Sequence, residues 1–421
     1  MRALRYIAVC TVAIALWAAL VLGAVFQGWF HASLAPRGDA RAFMTAATQR
    51  IESAALGDCA LALIEHGRVF DRFTFSIGRP IDDHSLFQMA SVSKWVTAWG
   101  VMTLVEAGRI DLDAPVSRYL KRWQLPESAF ANDAVTVRRL LSHTAGLTDG
   151  LGYLGFPPDA SPQTLVESLT HTADPMPGAD GRVRIGRAPG TRWQYSGGGF
   201  SILQLLIEDV TGVPFADYLE RTVLTPLRMS DSTFDADVAL SRSLAPNYGP
   251  DRQLATRYRF TALAAASLYS TLADMTRFVL AQAPAPSGAP PGRGVLAPAT
   301  LEAMRAPIGT QFGRNIWGLG TMLAARSASG GYIVGHDGNN YPAINHALRV
   351  DPATGDGIVV LSSGSSTFAS ALAGEWVRWK TGNVDLVEIA RQLDRMLLLI
   401  GAGAAVAIAL GVGAAYLRRR R

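Results

Sequence analysis

The chain has 421 residues, of which 49% are hydrophobic and only 17% are charged, and it contains two cysteines. This balance excludes intrinsic disorder over most of the chain, because disorder requires high charge and low hydrophobicity, and two cysteines are too few for a disulfide-stapled scaffold. The formal net charge of +5 would suit a nucleic acid, an acidic substrate or a membrane surface, and the positions of the positive charges decide between them.

An uncharged run over residues 6–30 follows Arg2 and Arg5 at the start of the chain. The run exceeds the roughly 20 residues that a helix needs to cross a bilayer core, so it predicts an N-terminal transmembrane anchor over residues 1–31. A cleaved signal peptide is the alternative, with a cleavage site at Ser33–Ala35, but the apolar part of a signal peptide spans only about 7–15 residues. In either case we expect the residues that follow to be exported across the membrane.

Helix and strand patterns then alternate. Residues 41–55 have helical apolar spacing, and the strands predicted over 59–65 and 69–77 are joined by a hairpin turn at His66-Gly67. Cys59 lies among apolar residues, and we expect it to be a small buried hydrophobic side chain.

A helix predicted over residues 91–107, ended by Gly108, carries the first candidate catalytic pair. Ser91 and Lys94 lie on one face of this helix, so the lysine amine can reach the serine oxygen, whereas Ser93 points away. Burial or a neighbouring cation would lower the pKa of Lys94 and make it a proton acceptor for Ser91. Only three of the 39 basic residues are lysines, and Lys94 is one of them, at a position where a base would be needed. The alternative is a helix N-cap followed by a surface lysine.

A long stretch rich in helices and loops continues to about residue 310. Tyr195 stands before a triple glycine in this stretch, and it could act as a base if a nearby cation held it as phenolate; the alternative is a buried core tyrosine. The helices predicted in this stretch are residues 135–143, 200–210, 214–223 and 272–280. Residues 283–298 form a Pro/Gly-rich linker, which we expect to be mobile.

Strand patterns return near the end of the exported part, so the fold is predicted to be α/β with a large helical insertion. The predicted strands are residues 317–325, 331–335, 344–350 and 357–362, and the last predicted helix is residues 367–379. His336 follows the second of these strands and could donate a hydrogen bond or a positive field to a substrate carboxylate; the alternative is a histidine exposed to water. The Lys-Thr-Gly at residues 380–382 is interpreted as a helix C-terminus with a glycine cap.

A second uncharged run over residues 396–417 precedes four arginines, Arg418–Arg421. It predicts a C-terminal transmembrane helix, and the positive-inside rule places the arginines at both chain ends in the cytoplasm. The domain between the spans then lies on the periplasmic or extracellular side of the cytoplasmic (inner) membrane. Without these six arginines, 33 basic residues (39 − 6) face 34 acidic ones, so the basic charge reports topology and gives no support to nucleic-acid binding.

Both runs carry a small residue at every fourth position, a pattern that lets helix backbones approach closely. We hypothesise that the spans pack on each other or on a second copy; an Ala/Gly-rich composition alone is the alternative. The two series are Thr11, Ala15, Ala19 and Gly23, and Gly403, Ala407, Gly411 and Ala415.

Taken together, these motifs resemble the serine β-lactamase and penicillin-binding-protein superfamily, in its class C β-lactamase-like branch, which includes esterases and D-stereospecific peptidases. Ser91–Lys94 (Ser-Val-Ser-Lys) matches the nucleophile motif, Tyr195–Gly197 stands where a Tyr-x-Asn motif falls, and His336–Gly338 matches a His-x-Gly third motif. Framing segments at residues 140–147, 189–193 and 267–271 also look like those of the family.

The resemblance implies an antiparallel sheet flanked by helices, a hydrolase domain over residues 38–382 and an insertion at about 110–310. It also implies that Ser91 attacks a carbonyl while Lys94 and Tyr195 share its proton, and that an acyl-enzyme forms and is released by water. The amides of Ser91 and Asn339 would hold the oxyanion, with His336 and Gly338 in the substrate-binding third motif. For His143 we expect a structural role.

Two departures from the family pattern make β-lactam hydrolysis less favourable: Gly197 replaces an asparagine, and His336 replaces a lysine. The sequence therefore predicts a membrane-anchored serine hydrolase acting on an ester or a D-amino-acyl peptide, with no metal and no cofactor. The alternatives are a penicillin-interactive D,D-carboxypeptidase or β-lactamase, and a non-catalytic binding or sensory module. The sequence does not indicate an oligomeric state.

Overall fold

The computed structural model describes residues 2–29, 33–150, 152–340 and 344–419. Five residues of the predicted membrane segments and their flanks, Met1, Phe30, His31, Arg420 and Arg421, lie outside the described residues.

The elements that the sequence patterns predict occur in the predicted order, and further short helices and strands lie between them. In chain order the helices are α1 Arg2–Gln27, α2 Ala40–Ala54, α3 Val92–Glu106, α4 Val137–Leu141, α5 Leu165–His171, α6 Gly197–Thr211, α7 Phe215–Leu219, α8 Ala236–Leu240, α9 Leu263–Ala266, α10 Leu272–Leu280, α11 Pro298–Arg305, α12 Phe368–Thr381, α13 Leu386–Arg391 and α14 Leu393–Arg419. The strands are β1 Cys59–Glu65, β2 Arg68–Phe75, β3 Phe87–Gln88, β4 Tyr269–Ser270, β5 Gly309–Gln311, β6 Arg314–Trp317, β7 Met322–Arg326, β8 Tyr332–Asn340, β9 Ile344–Val350 and β10 Gly357–Ser363.

An antiparallel sheet in the order β2-β1-β10-β9-β8-β7-β6-β5 is the centre of the fold. Its central strands β1, β9 and β10 are buried on both faces because helices cover both sides. Helices α2 and α12 pack on one face, and α3 and α10 pack on the other. The predicted α/β fold with an antiparallel sheet is confirmed, whereas the proposed domain boundaries remain predictions. Cys59 is fully buried, as expected.

The third-motif residues lie inside a strand, which differs from the sequence prediction. The apolar run ends near Gly335, but pairing with β9 continues from His336 to Asn340, so β8 is longer than its hydrophobic pattern. The strand predicted over residues 317–325 is instead two strands, because the chain turns between Trp317 and Met322.

The Pro/Gly-rich segment at residues 283–298 is packed on the protein, not a mobile linker. Val295 and Leu296 are buried, and the Gly292 N–H donates to the Ala281 carbonyl over 2.7 Å. Composition predicted the absence of regular structure correctly, but it did not reveal these two apolar contacts.

The two terminal helices are each long and apolar enough to cross a membrane, over Ile7–Gln27 and Leu393–Leu417. They pack on each other, and the Trp17 Nε1–H donates to the Leu399 carbonyl over 2.9 Å. On α14 the small-residue series faces the partner helix, since a Cβ on Gly403 would lie 2.0 Å from Trp17 Nε1.

On α1 the predicted small-residue series does not form the contact surface. Cys10 and Trp17 contact α14 instead, and a Cβ on Gly23 would meet nothing within 4 Å. The hypothesis of mutual packing therefore agrees with the structure for α14, whereas on α1 larger side chains fill the space that the α14 glycines leave.

Candidate active site

The nucleophile candidate lies at the start of α3, where Ala90 adopts a left-handed backbone conformation with φ +46°. The Ser91 side chain does not cap the helix; instead the Lys94 Nζ lies 3.2 Å from Ser91 Oγ. Ser93 points elsewhere, donating to the Ala90 carbonyl and accepting from the Leu268 N–H. The structure thus brings Ser91 and Lys94 together and places Ser93 in a structural role.

Lys94 is buried, with 1% of its surface exposed, and its Nζ also donates to the Ala265 carbonyl over 2.8 Å. Its remaining surroundings are aromatic, since Nζ lies 5.0 Å from the ring centre of Tyr195 and 5.8 Å from that of Phe200. Burial lowers the pKa of Lys94 to about 7, against the opposing effect of Asp149. A large fraction of this amine is therefore neutral near pH 7 and able to accept a proton.

Tyr195 completes the cluster, and its phenol is a hydrogen-bond partner of Ser91. Burial raises the pKa of Tyr195 above its usual value, and the hydrogen bond with Ser91 opposes this shift only in part. The residue is thus a neutral phenol at physiological pH, in contrast to the phenolate base considered from the sequence. A phenol in this position can donate a proton.

His143 holds the segment that carries Tyr195. Its carbonyl accepts from the Gln194 N–H over 2.8 Å, its Nδ1 accepts from the Ser196 N–H over 3.2 Å, and its ring lies 4.4 Å from the Tyr195 ring. Burial lowers the pKa of His143 well below its usual value, so the ring is neutral. These contacts agree with the expected structural role.

Asp149 is a functional-site residue that sequence reasoning missed. Its carboxylate accepts from Ser196 Oγ and from the Gly198 N–H, both over 2.6 Å, at the start of α6. It is also the acidic group that opposes the lowered pKa of Lys94. The sequence signal was weak, namely a single aspartate two residues after the framing segment at residues 140–147.

Steric crowding explains why position 197 is a glycine. A Cβ on Gly197 would lie 2.9 Å from the Cα of Gly152, and a Cβ on Gly198 would lie 2.8 Å from Asp149 Oδ2. The asparagine of a Tyr-x-Asn motif has no room here, because the backbone of another segment occupies its place.

His336 faces the same cleft, but it supplies no positive charge. Its Nδ1 lies 2.7 Å from the Asp337 carbonyl and must carry the hydrogen, because a carbonyl can only accept. Burial, and secondarily the nearby Lys94, lowers the pKa of His336 to about 4. The expectation of a positive field for a substrate carboxylate is therefore wrong near neutral pH.

The third-motif strand passes directly beside the nucleophile. A Cβ on Gly338 would lie 2.2 Å from the carbonyl oxygen of Met89, so only glycine permits this approach. Asn339 lines the cleft, and its side-chain amide donates to the Ser366 carbonyl over 2.7 Å. Within the described residues, the Ser91 N–H donates to no protein acceptor, so it is available to hold an oxyanion.

All six residues singled out from the sequence line or border one cleft of about 520 Å³. Its described wall is mainly apolar, and Lys94 is its only lysine or arginine. Besides Tyr195, the larger apolar side chains of the wall are Tyr153, Leu154, Met176, Phe260, Trp317 and Met322. The Lys-Thr-Gly at residues 380–382 is not among the lining residues; Lys380 instead pairs with Glu65 and Asp356, over 2.7 and 3.1 Å, at the end of α12.

Comparison with known proteins places this cleft in a family. The model of the family described as Beta-lactamase matches residues 41–382, which is more than half of the chain. The chain belongs to the Beta-lactamase family. The match contains the whole cluster of Ser91, Lys94, Tyr195 and His336.

The curated proteins that match part of the chain include a penicillin-binding protein and an esterase. Penicillin-binding protein 4* of Bacillus subtilis is 32% identical over 158 residues, which cover 37% of this chain and 32% of the relative. Esterase EstB of Burkholderia gladioli is 34% identical over 167 residues, which cover 37% of this chain and 40% of the relative. The matched segments thus span only about a third and two fifths of these relatives.

The fold is also found in solved structures. The octameric penicillin-binding protein homologue from Pyrococcus abyssi superposes with a TM-score of 0.62 and 20% identity, covering 81% of this chain and 77% of the other. At this identity the similarity concerns the fold alone.

Proposed function

We propose that the chain is a membrane-anchored serine hydrolase that cleaves an ester, or an amide such as a D-amino-acyl peptide, through an acyl-enzyme on Ser91. One observation carries the proposal: the buried Lys94 amine, with a pKa of about 7, lies 3.2 Å from the Ser91 hydroxyl. A lysine that is neutral at working pH and within reach of a serine oxygen is an activating base.

In the acylation step the neutral Lys94 amine takes the Ser91 proton as the serine oxygen attacks the substrate carbonyl carbon. The backbone N–H groups of Ser91 and of Asn339 on β8 hold the oxyanion. The bond to the leaving alcohol or amine then breaks, and the Tyr195 phenol donates the proton that the leaving group requires. The Lys94 ammonium returns a proton to Tyr195.

Deacylation uses the same amine as the base. Water enters the position of the leaving group, and Lys94 accepts its proton as the oxygen attacks the acyl carbon. The bond to Ser91 Oγ breaks, and the serine oxygen recovers a proton from Lys94. Each proton that Lys94 or Tyr195 gives or takes is returned by the end of the cycle, and no step uses a metal or cofactor.

The cleft supports a neutral substrate over a penicillin. Lys94 is the only lysine or arginine in the described wall, and it is committed to the serine, while His336 is uncharged at neutral pH. A substrate carboxylate would therefore lose hydration without gaining a cationic partner. The apolar wall instead suits an uncharged acyl group.

The full-length chain in detergent, together with its Ser91→Ala variant, tests the nucleophile assignment. We expect hydrolysis of a small chromogenic ester and labelling by a fluorophosphonate to be lost in Ser91→Ala and kept in Ser93→Ala, the neighbouring serine. Full activity of Ser91→Ala would reject the assignment. Stable labelling of Ser91 by a fluorescent penicillin, without ester turnover, would support the penicillin-interactive alternative instead, and a Ser91 left unlabelled by both reagents would support the non-catalytic module.

The anchoring part of the proposal is supported by the two long apolar helices and by the arginines at both chain ends. We propose that both arginine clusters lie in the cytoplasm and that the cleft faces the periplasm or the cell exterior. Protease added outside spheroplasts should then digest the hydrolase domain, and protection of this domain would reverse the orientation.

A further inference from the structure

A chain of buried ion pairs joins the third-motif strand to the segment that enters the C-terminal span. We propose that Arg349 and Asp385 are positioning residues, which hold β8 in its place beside Ser91 by linking Asp337 to the start of α13. This inference rests on the proposed hydrolase function, because it assigns a role in the same cleft.

The first link lies on the α12 side of β8, although Asp337 also borders the cleft. Along β8 the side chains alternate, so His336 faces the cleft while Asp337 faces α12. Arg349 on β9 donates from Nη1 to Asp337 Oδ1 over 2.5 Å. Gly335, the residue opposite Arg349 in the ladder, lies close against β9, since a Cβ there would lie 1.9 Å from the Leu348 carbonyl oxygen and 3.1 Å from Arg349 Cδ.

The second link leaves the sheet. Arg349 Nε donates to Asp385 Oδ2 over 2.7 Å, and its Nη2 donates to Asp385 Oδ1 over 3.3 Å. The side chains of Arg349 and Asp385 are both 0% exposed. A pair this deeply buried is costly to break, because removal of one partner leaves an uncompensated charge in the interior.

Asp385 also begins the helix that leads to the membrane. Its Oδ1 accepts from the Val387 N–H over 2.8 Å, which caps α13, and α14 begins eight residues further on at Leu393. The same carboxylate therefore fixes the direction of the juxtamembrane helix and the position of Arg349.

The other carboxylate oxygen of Asp337 is held as well. Ser370 Oγ on α12 donates to Asp337 Oδ2 over 2.5 Å, and the Asn345 side chain bonds both the Oγ and the N–H of Ser370. With its hydrogen bonds satisfied on both sides, Asp337 fixes the backbone between His336 and Gly338. A loosened link lets this strand shift, and errors of about 1 Å in catalytic geometry cost up to about a hundredfold in rate.

The test uses full-length Asp385→Asn in detergent, with Asp385→Glu as the conservative rescue and Arg391→Gln as the control on the exposed side of α13. Competent sites are first counted by fluorophosphonate titration, and kcat/KM for the ester is expressed per competent site. We expect Asp385→Asn to lose about tenfold or more per site, Asp385→Glu to recover part of this, and Arg391→Gln to stay unchanged.

Hydrogen exchange separates positioning from general destabilisation. Amides of β8 at residues 335–340 should exchange at least about tenfold faster in Asp385→Asn, while those of β1 keep their wild-type rates. Equal acceleration in both strands, or unchanged kcat/KM per site, would overturn the inference. If Ser91→Ala is fully active, the proposed function fails instead, and the exchange result still reports on the ion-pair chain.

Discussion

At the scale of single residues, the proposed mechanism makes activity depend on the protonation state of Lys94, which its surroundings set. Burial removes water from the ammonium and disfavours its charged form, while Asp149 favours that form less strongly. The pKa of about 7 is therefore lowered from the ordinary lysine value of 10.5. Above pH 7 the amine is mainly neutral and able to take the proton of Ser91.

We therefore predict that the rate of Ser91 acylation rises with pH through about 7 and then reaches a plateau. His336 contributes no step above pH 5, because its pKa is lowered to about 4. Stopped-flow acylation with a chromogenic ester between pH 5 and 9 measures this profile. A rate that is flat across pH 7 would contradict a Lys94 base.

Replacement of Lys94 by arginine tests the same point while keeping a long basic side chain at this position. Arginine stays protonated at any working pH and cannot accept the serine proton, so we expect Lys94→Arg to reduce kcat/KM by about 10³-fold or more. Lys380→Arg is the matched control, since Lys380 pairs with Glu65 outside the cleft. Near-normal turnover in Lys94→Arg would remove Lys94 from the mechanism.

At the scale of elements, the positions of α3 and β8 could be predicted only in part. The spacing of Ser91 and Lys94 on a helix gave their contact in advance, because residues three apart share a helix face. The extension of β8 to Asn340 could not be foreseen, because its outer half is polar and is held by pairing with β9 and by Arg349. Local hydrophobic pattern carries no information about such distant partners.

The close contact of β8 with the residues before Ser91 gives a prediction for Gly338. A Cβ at this position would lie 2.2 Å from the Met89 carbonyl oxygen, so Gly338→Ala must push the strand away from α3. We expect a destabilisation of about 1–3 kcal/mol, as for other overpacked sites, together with a loss of acylation. Thermal unfolding and fluorophosphonate labelling measure the two effects.

Gly331→Ala provides the comparison for Gly338→Ala. Gly331 lies just before β8, and a Cβ there would meet no atom within 4 Å, although its φ of +72° still strains an alanine. This variant should lose some stability from backbone strain but keep its labelling rate. If Gly338→Ala behaved like Gly331→Ala in both measurements, the strand would not be constrained by the Met89 contact.

At the scale of the whole molecule, the sequence identified both apolar helices and the family, but it did not identify how the helices meet. Its small-residue pattern was matched on α14, whereas on α1 Trp17 and Cys10 fill the grooves. Such a large-into-small fit depends on the relative rotation of two distant segments, which no single periodicity determines. For the same reason Asp149 and Asp385 were missed, since their partners are distant in sequence or in another element.

The packing of the two terminal helices can be tested by cross-linking in isolated membranes. Cys10 Sγ lies 3.5 Å from the Ala407 carbonyl oxygen, so Ala407→Cys should form a disulfide with Cys10 under mild oxidation. Ala405→Cys, which is exposed on the other side of α14, should not. Adding Gly403→Leu should reduce the Ala407→Cys cross-link severalfold, because the leucine would collide with Trp17.

Phe26 at the end of α1 and the segment that follows it contact the rest of the protein, and these contacts bear on how substrate reaches the cleft. Arg378 donates to the Gly28 carbonyl, Trp379 Nε1 donates to the Pro36 carbonyl over 2.7 Å, and the Arg314 guanidinium stacks on Phe26 at 4.4 Å. A domain joined to its membrane helix by one flexible linker can rotate freely, whereas a domain that contacts the helix and its flanking segment at several points keeps one orientation. Under the proposed membrane anchoring, these contacts hold the cleft at a fixed height above the lipid, and we expect turnover to depend on the distance of the scissile bond from the lipid surface more than on the bulk substrate concentration.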